Sequence, residues 1–230
     1  MKLRSLFFIL IFLSFSYGET RKDCYAVKYF FITVGKICIL YNFEERLKVE
    51  AKAETTGIFK ILKNIRYSGY SISDQKLSPK EFYFKREEKG LIEIHRYKFL
   101  KEWVDYHKTI IIGADEKTES KKIKNKNYID PFTASLYYYR QIRSGNPIKK
   151  SVFFGGKGYF VPYFKRKIEN LKINNRSYEC YYAEINPIKI KVGGILQPAG
   201  VWKLWIEKNE NRLIKGVFKI KAGEVVIEIK

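Results

Sequence analysis

Apolar and charged residues alternate along several segments of this chain. In residues 47–54, Leu47, Val49 and two alanines are separated by single lysines and glutamates. Near the C-terminus Val225, Ile227 and Ile229 are spaced in the same way. Successive side chains of a β-strand point to opposite faces, so this period of two predicts strands with one face in a core and the other in water.

Other segments rich in β-branched and aromatic residues lie between turn residues. Hydrophobic residues make up 46% and aromatic residues 17% of the chain, which favours strands because such side chains pack well on a pleated surface. We therefore predict a mainly β fold, an antiparallel barrel or strongly curved sheet built by hairpin steps. The additional strands are predicted at residues 26–33, 37–42, 67–73, 81–86, 91–99, 104–112, 152–154, 159–171, 176–185 and 201–207, with the first hairpin turning at Val34-Gly35-Lys36.

A helix is predicted at residues 131–143. Asp130 is a suitable N-cap, Pro131 follows at the first helical position, and Gly145 lies just beyond the end. Its apolar side chains form one broad face, so we expect the helix to pack against the sheet or to plug it. A weaker pattern predicts a short helix near residues 57–63, and the lysine-rich residues 116–127 are predicted to be a solvated linker.

The first eighteen residues have the pattern of a secretory signal peptide. Two basic residues precede an apolar run, and Ser16-Tyr17-Gly18 supplies a small-x-small cleavage site. The apolar run is too short to span a bilayer, which takes about 20 such residues. We therefore expect a periplasmic or secreted protein that is not transmembrane after cleavage, with residues 19–230 forming a single β-barrel-like domain.

The chain is strongly basic. It has 45 lysine and arginine residues against 24 acidic ones, a formal net charge of +21, and the predicted signal peptide holds only two of the basic residues. Such a surface attracts polyanions such as lipopolysaccharide or anionic lipid. Abundant lysine and glutamate with a single methionine also resemble the composition of heat-adapted proteins, so the charge has two explanations.

Nucleic acid is not the partner that the basic segments predict. Basic and aromatic residues do interleave at residues 82–86 and 163–167, as they do in single-strand binders. In a strand, however, Phe82 and Phe84 lie on the face opposite Lys85, so this alternation favours aromatic side chains in a core.

Three cysteines follow the predicted signal peptide, and an odd number allows at most one internal disulfide in an oxidising compartment. With the first hairpin centred near Gly35, Cys24 and Cys38 would not face each other, and Cys180 could pair with either. No C-x-x-C spacing is present, so we predict no metal site and no cofactor.

Residues that could support catalysis are few. His95 and His107 are the only histidines, both in strand-like segments, and no G-x-S-x-G motif occurs. Gly155-Gly156 lacks the spacing of a phosphate-binding loop and predicts a hairpin turn instead. Carboxylates such as Glu87-Glu88, or Asp23 with Asp105, are the remaining acid–base candidates. We predict no catalytic residues and a protein that is not an enzyme.

Several short motifs spread over the chain form one pattern. They are the Val34-Gly35 hairpin, Ala53-x-x-Thr56-Gly57, Leu77-x-Pro79-x-x-Phe82, Asp130 followed by Ala134-Ser135-Leu136-Tyr137-Tyr138-x-Arg140, and Trp202-x-x-Trp205-Ile206 before Arg212. This pattern resembles the exported bacterial domain-of-unknown-function family 3108. The resemblance implies a secreted, mainly antiparallel β protein similar in shape to the open barrels of lipoprotein carriers, with no established activity. The chain departs from the family at Asn209 and Leu213-Ile214, where an acidic residue and a proline are usual.

The leading hypothesis is a non-enzymatic carrier or binding protein for an apolar or acyl-bearing ligand, because barrel mouths are common ligand sites. A basic module that docks on polyanions is the alternative, and a hydrolase with a carboxylate site is the third. Trp202 and Trp205 should point to opposite faces of their strand, and Arg140 has a competing role in offsetting the helix dipole. The predicted ligand-binding residues are Tyr137, Tyr138, Arg140, Trp202 and Trp205.

Overall fold

A computed structural model describes residues 20–62, 64–187, 198–210 and 212–230. The predicted signal peptide, residues 1–18, lies outside the described residues. The strands and helices follow one another as β1 (Thr20–Tyr29), β2 (Ile32–Phe43), β3 (Leu47–Thr55), α1 (Ile58–Leu62), β4 (Ile65–Ser73), β5 (Pro79–Glu88), β6 (Leu91–Phe99), β7 (Trp103–Ile112), β8 (Asp115–Lys124), α2 (Pro131–Ser144), β9 (Val152–Phe154), β10 (Lys157–Tyr159), β11 (Tyr163–Ile173), β12 (Arg176–Ile185), β13 (Trp202–Glu207), β14 (Leu213–Ile220) and β15 (Gly223–Ile229).

Thirteen of the described strands form one antiparallel sheet in the order β11-β12-β13-β14-β15-β1-β2-β3-β4-β5-β6-β7-β8, and β9 pairs with β10 in a separate hairpin. No ladder joins the outer strands β8 and β11 within the described ranges, so the sheet is open. It is nevertheless curved, because α2 contacts both β4 and β12 although six strands lie between them in the sheet order. The prediction of a mainly β, strongly curved antiparallel sheet is confirmed.

Both predicted helices are present. The Asp130 side chain accepts hydrogen bonds from the backbone N–H groups of Phe132 (2.9 Å) and Thr133 (3.0 Å), and Gly145 ends α2 with a φ of 73° in the left-handed region. Asp130 is fully buried, and it also accepts a hydrogen bond from Ser71 of β4 at 2.8 Å. The N-cap therefore also fixes the helix to the sheet.

The other end of α2 is held by the opposite side of the sheet. Arg166 of β11 donates to the backbone oxygens of Ile142 (2.5 Å) and Arg143 (2.9 Å), two of the carbonyls that a helix C-terminus leaves without partners. The larger core cluster lies between α2 and the sheet. A smaller aromatic cluster lies where β5, β6 and β7 meet β9, with Phe82, Tyr97, Tyr106 and Phe153 at its centre.

The predicted position of the first hairpin turn is wrong. The chain turns at Phe30-Phe31, and the residues around Val34 belong to β2, where the ladder shifts register. Phe30 and Phe31 both have positive φ, 46° and 67°, a conformation that usually selects glycine or asparagine. Two phenylalanines therefore gave no turn signal.

The prediction for the cysteines is corrected for the same reason. With the turn at Phe30-Phe31 and the one-residue register shift at Val34, Cys24 and Cys38 are directly opposite in the β1–β2 ladder, and they form a disulfide with 4.1 Å between their Cα atoms. Cys180 is buried and is not part of it. A shift of the turn by a few residues changes every cross-strand partner.

Two further segments differ from expectation. Residues 115–124 are not a linker but the edge strand β8, which pairs with β7 along its whole length. Its side chains are mostly exposed and rich in lysine, as is common for edge strands that must avoid further pairing. The predicted strand at 159–171 is interrupted around Pro162, so β10 and β11 are separate.

Candidate ligand-binding trough

An apolar cavity of about 430 Å³ lies between α2 and the strands β12 to β14, and we call it the helix cavity. None of its described lining residues carries a formal charge. On the helix side the wall is formed by Ala134, Ser135 and Tyr138, and on the sheet side by Trp202, Leu204 and Phe218, among others. Such a space can take an apolar chain or ring system.

Two more apolar cavities continue from it along the concave face of the sheet. The middle cavity, about 320 Å³, shares Pro131 and Ser135 of α2 with the helix cavity. The rim cavity, about 510 Å³, shares Ile37, Ala53 and Tyr67 with the middle cavity. Because neighbouring cavities share wall residues, the three lie in a row along this face, and we call them together the trough; α2 lines the helix cavity and the middle cavity.

Strand alternation explains which residues face the trough. In β2 and β3 the wall is built by Ile37, Ile39, Val49, Ala51 and Ala53, which are spaced two apart along each strand. The pairs Ile37↔Ala53 and Ile39↔Ala51 are directly opposite in the β2–β3 ladder. Small alanines opposite larger isoleucines leave space on this face that leucine or phenylalanine would fill.

Two charged residues, Lys36 and Glu54, belong to the strand segments that border the rim cavity. They alternate with Ile37 and Ala53, so their side chains lie on the other face of the sheet, where they form an ion pair of 3.0 Å. Glu54 is held ionised by this pairing, since the hydrogen bond from Lys36 lowers the pKa of the carboxyl group. Apolar residues of β1, β14 and β15 form the opposite wall, namely Val27, Ile220, Val225 and Ile227.

A buried polar cluster lies on the same face at the other end of β1 and β2. Asp23 is almost fully buried and forms an ion pair with Arg21 at 3.1 Å, and the Arg21 guanidinium lies over the Tyr41 ring at 4.5 Å. Burial raises the pKa of Asp23 and of the neighbouring tyrosines Tyr25 and Tyr139. Tyr139 also lines the helix cavity, so this cluster lies next to that cavity, although neither Asp23 nor Arg21 is among the wall residues of the three cavities.

The five predicted ligand-binding residues separate into two groups. Tyr138 and Trp202 line the helix cavity; the Tyr138 hydroxyl donates to the backbone oxygen of Val161 (2.6 Å), and the Trp202 indole donates to that of Lys219 (3.1 Å). These bonds fix both rings at the cavity wall.

The other three lie outside the walls of the described cavities. The Tyr137 hydroxyl accepts a hydrogen bond from the backbone N–H of Lys149, and Arg140 donates to the backbone oxygen of Gln75. Trp205 lies on the opposite face of β13 from Trp202, beside the Tyr182 ring at 4.9 Å, and its indole donates to Glu169 (2.7 Å). The proposed dipole role of Arg140 is served by Arg166, which bonds the terminal carbonyls directly.

Sequence reasoning missed most of the trough wall. Ala134 and Ser135 were overlooked because small helix residues usually mark close packing, and Phe218 because an inward aromatic residue is normally core. The only available signal was the run of small residues Ala51 and Ala53 on an otherwise bulky inward face. That signal does not show whether a helix fills the space.

The remaining chemical candidates lie elsewhere. His95 is buried with its Nε2 atom 3.0 Å from Glu93, and this hydrogen bond together with Lys108 lowers the pKa of Glu93 to about 2. His107 is hydrogen-bonded to Ser120 on the neighbouring strand. Within the described ranges no group of three or more His, Cys, Asp or Glu side chains is placed to hold a metal ion.

The candidate carboxylate pairs are not brought together. Glu87 forms an ion pair with Lys85 at 2.6 Å, whereas Glu88 pairs with Arg86. Asp23 lies in β1 and Asp105 in β7, with five strands between them in the sheet order.

An open, curved antiparallel sheet around a single long helix defines a β-barrel-like fold. Residues 24–230 match the family model described as protein of unknown function (DUF3108), so the chain belongs to this family, as its motifs indicated. A solved structure from Brucella abortus, titled a beta-barrel-like protein of domain of unknown function DUF1849, is similar in fold, with a TM-score of 0.59 at 6% identity over 93% of this chain and 95% of that chain. No curated protein matches the chain. Among the described helices, none combines the length and apolar character needed to cross a membrane.

Proposed function

We propose that the protein is an exported, non-enzymatic carrier that holds an apolar or acyl-bearing ligand in the trough under α2. The observation that carries this proposal is the row of three neighbouring apolar cavities along one face of the sheet. The volume of each lies within or close to the range of about 300–1,000 Å³ that is usual for small-molecule sites.

The trough is closed on one side by a helix that is tied at both ends. Ser71 holds the N-terminus of α2 through Asp130, and Arg166 holds its C-terminus. A cavity under a helix that is held at both ends stays open when it is empty, because the helix cannot move into the space.

Ser135 is the position at which to block the trough, since it lines both the helix cavity and the middle cavity. Its hydroxyl donates only to the Phe132 backbone oxygen within the same helix (2.7 Å), so its replacement costs little stability. Ser144 is a matched control: it makes the same kind of bond, to Arg140, but it is exposed.

The experiment titrates purified protein with cis-parinaric acid, a fluorescent long-chain fatty acid. We expect saturable binding by the natural chain and by Ser144→Trp, and a loss of affinity of at least about tenfold in Ser135→Trp, because an indole fills the junction. Equal affinity in the two variants, with both folded by circular dichroism, would contradict the proposal.

Docking on envelope polyanions is the second candidate, favoured by the net charge of +21 and by the exposed lysines of β8. The two functions respond differently to salt. Polyanion binding weakens steeply with ionic strength, whereas retention of an apolar ligand does not. Fatty-acid affinity that falls as steeply with added salt as binding to lipopolysaccharide does would favour the second candidate.

A further inference from the structure

The turn between β1 and β2 exposes large apolar side chains. Phe30 is 66% exposed, Phe31 98% and Ile32 57%. Both phenylalanines adopt positive φ, which bulky residues rarely do. Phe30 lies edge-on against the Tyr29 ring at 4.6 Å, but core packing does not explain the almost fully exposed Phe31 in a turn that Asn-Gly would form better.

A second exposed apolar group lies beside this turn. Ile58 and Ile61 of α1 are 65% and 83% exposed, whereas Phe59 between them lines the rim cavity. The segment before α1 is hydrogen-bonded to β2 close to the turn, with Thr56 donating to the Val34 backbone oxygen at 2.9 Å. We call Phe30, Phe31, Ile32, Ile58 and Ile61 the apolar rim.

The apolar rim lies at the end of the sheet where the rim cavity is found. Tyr29, next to the turn, and Phe59, next to Ile58, both line that cavity. At the opposite end the chain turns through polar segments such as Glu44-Glu45-Arg46, Asp74-Gln75-Lys76 and Asn174-Asn175. Leu100 and Trp103 are exposed there as well, but less so, at 41% and 44%.

Basic residues accompany the rim. Lys60 lies in α1 between the two exposed isoleucines, and Lys221 lies in the β14–β15 turn, which the Tyr29 hydroxyl contacts through the backbone oxygen of Ala222. Lys60, Lys221 and Lys89 of the β5–β6 turn are all exposed. Apolar side chains flanked by lysines on a protein of net charge +21 match a bilayer with anionic headgroups. A second copy of the chain fits less well, because it brings the same positive charge to the contact.

We propose that the apolar rim inserts into the interface of an anionic lipid bilayer, with its lysines at the headgroups. Insertion places the rim cavity beside the acyl chains. That second step, passage of a ligand between bilayer and trough, rests on the proposed carrier function, whereas docking itself does not.

The test measures co-sedimentation of purified protein with vesicles of phosphatidylcholine alone and with about one-third phosphatidylglycerol. The variant Phe30→Asn/Phe31→Gly removes both rings and installs the residues that this turn prefers, so it is expected to fold. Leu100→Ser/Ile168→Ser is the matched control, because it removes two exposed apolar side chains away from the rim.

We expect the natural chain and the control to bind the anionic vesicles, and Phe30→Asn/Phe31→Gly to bind at least about tenfold more weakly. Undiminished vesicle binding by the rim variant would overturn docking through the rim. Docking would also be overturned if the natural chain did not bind vesicles but formed dimers that the rim variant does not form, since the rim would then bind a second copy.

Fatty-acid titration in the absence of vesicles separates this proposal from the carrier function. The rim variant should bind cis-parinaric acid as the natural chain does, because Phe30 and Phe31 do not line the trough. Vesicle binding that depends on the rim, without any fatty-acid binding, would support docking and refute the carrier. Fatty-acid binding without vesicle binding would support the carrier function and refute docking.

Discussion

Replacing Asp130 with alanine should loosen α2 from the sheet. The carboxylate is fully buried and accepts three hydrogen bonds, from the backbone N–H groups of Phe132 and Thr133 and from the Ser71 hydroxyl at 2.8 Å. Alanine removes all three acceptor contacts. Ser71 keeps a contact with the Thr133 hydroxyl at 2.9 Å, so it is not left entirely without a partner.

The expected cost follows from these contacts. Loss of an N-cap destabilises a protein by about 1–2 kcal/mol. The Ser71 hydroxyl also loses this acceptor in a dry site, which adds about 1–2 kcal/mol. We therefore expect Asp130→Ala to lower the free energy of unfolding by about 3 kcal/mol.

Asp130→Asn is the matched control for this prediction. Asparagine is an equally good N-cap, and its amide oxygen can replace the carboxylate oxygen. Burial raises the pKa of Asp130, so the negative charge is not what stabilises the site. We expect asparagine to cost less than half as much as alanine.

Urea unfolding followed by circular dichroism measures both variants. With a slope of about 3 kcal/mol per molar, Asp130→Ala should shift the midpoint down by about 1 M. A midpoint within experimental error of the natural chain would refute the role of the cap. An asparagine variant as unstable as the alanine variant would refute the argument that hydrogen bonds, not charge, hold the helix.

Two further predictions concern the sheet. Cys24→Ser/Cys38→Ser opens a loop with a sequence separation of 14, which should cost about 3 kcal/mol in urea unfolding, and reduction of the natural chain should produce the same shift. The His95 hydrogen bond lowers the pKa of Glu93 from 4.5 to about 2, so this carboxylate stabilises the fold above the unfolded-state pKa and loses that effect as pH falls towards 2. As pH falls through this range, the free energy of unfolding of the natural chain should therefore decrease by on the order of 2 kcal/mol more than that of Glu93→Gln. Parallel pH profiles of the two proteins would contradict this.

Local signals predicted the helix well. The N-cap, the proline and the final glycine act within one or two turns of the chain, so Asp130, Pro131 and Gly145 revealed both ends of α2 from sequence alone. The first hairpin was missed because its turn is made by Phe30-Phe31, whose positive φ runs against their intrinsic preference. The disulfide was missed with it, since the pairing of Cys24 with Cys38 depends on that register.

Of the candidate site, the sequence predicted Tyr138 and Trp202 but not the space between them. These two residues are distant in the chain. They share a cavity wall because α2 is held to β4 and the sheet curves until β12 and β13 also lie close to this helix. Curvature arises from twist accumulated over many strands, and no local pattern encodes it.

The sequence by itself determined most of the strands, where the long helix begins and ends, and which side of most strands is apolar, because these properties depend on neighbouring residues. Only the tertiary structure decided that the inward faces leave a row of neighbouring cavities and that the exposed rim lies beside one of them. Both depend on how far the sheet curls around α2, which is set by contacts between residues that are far apart in the chain.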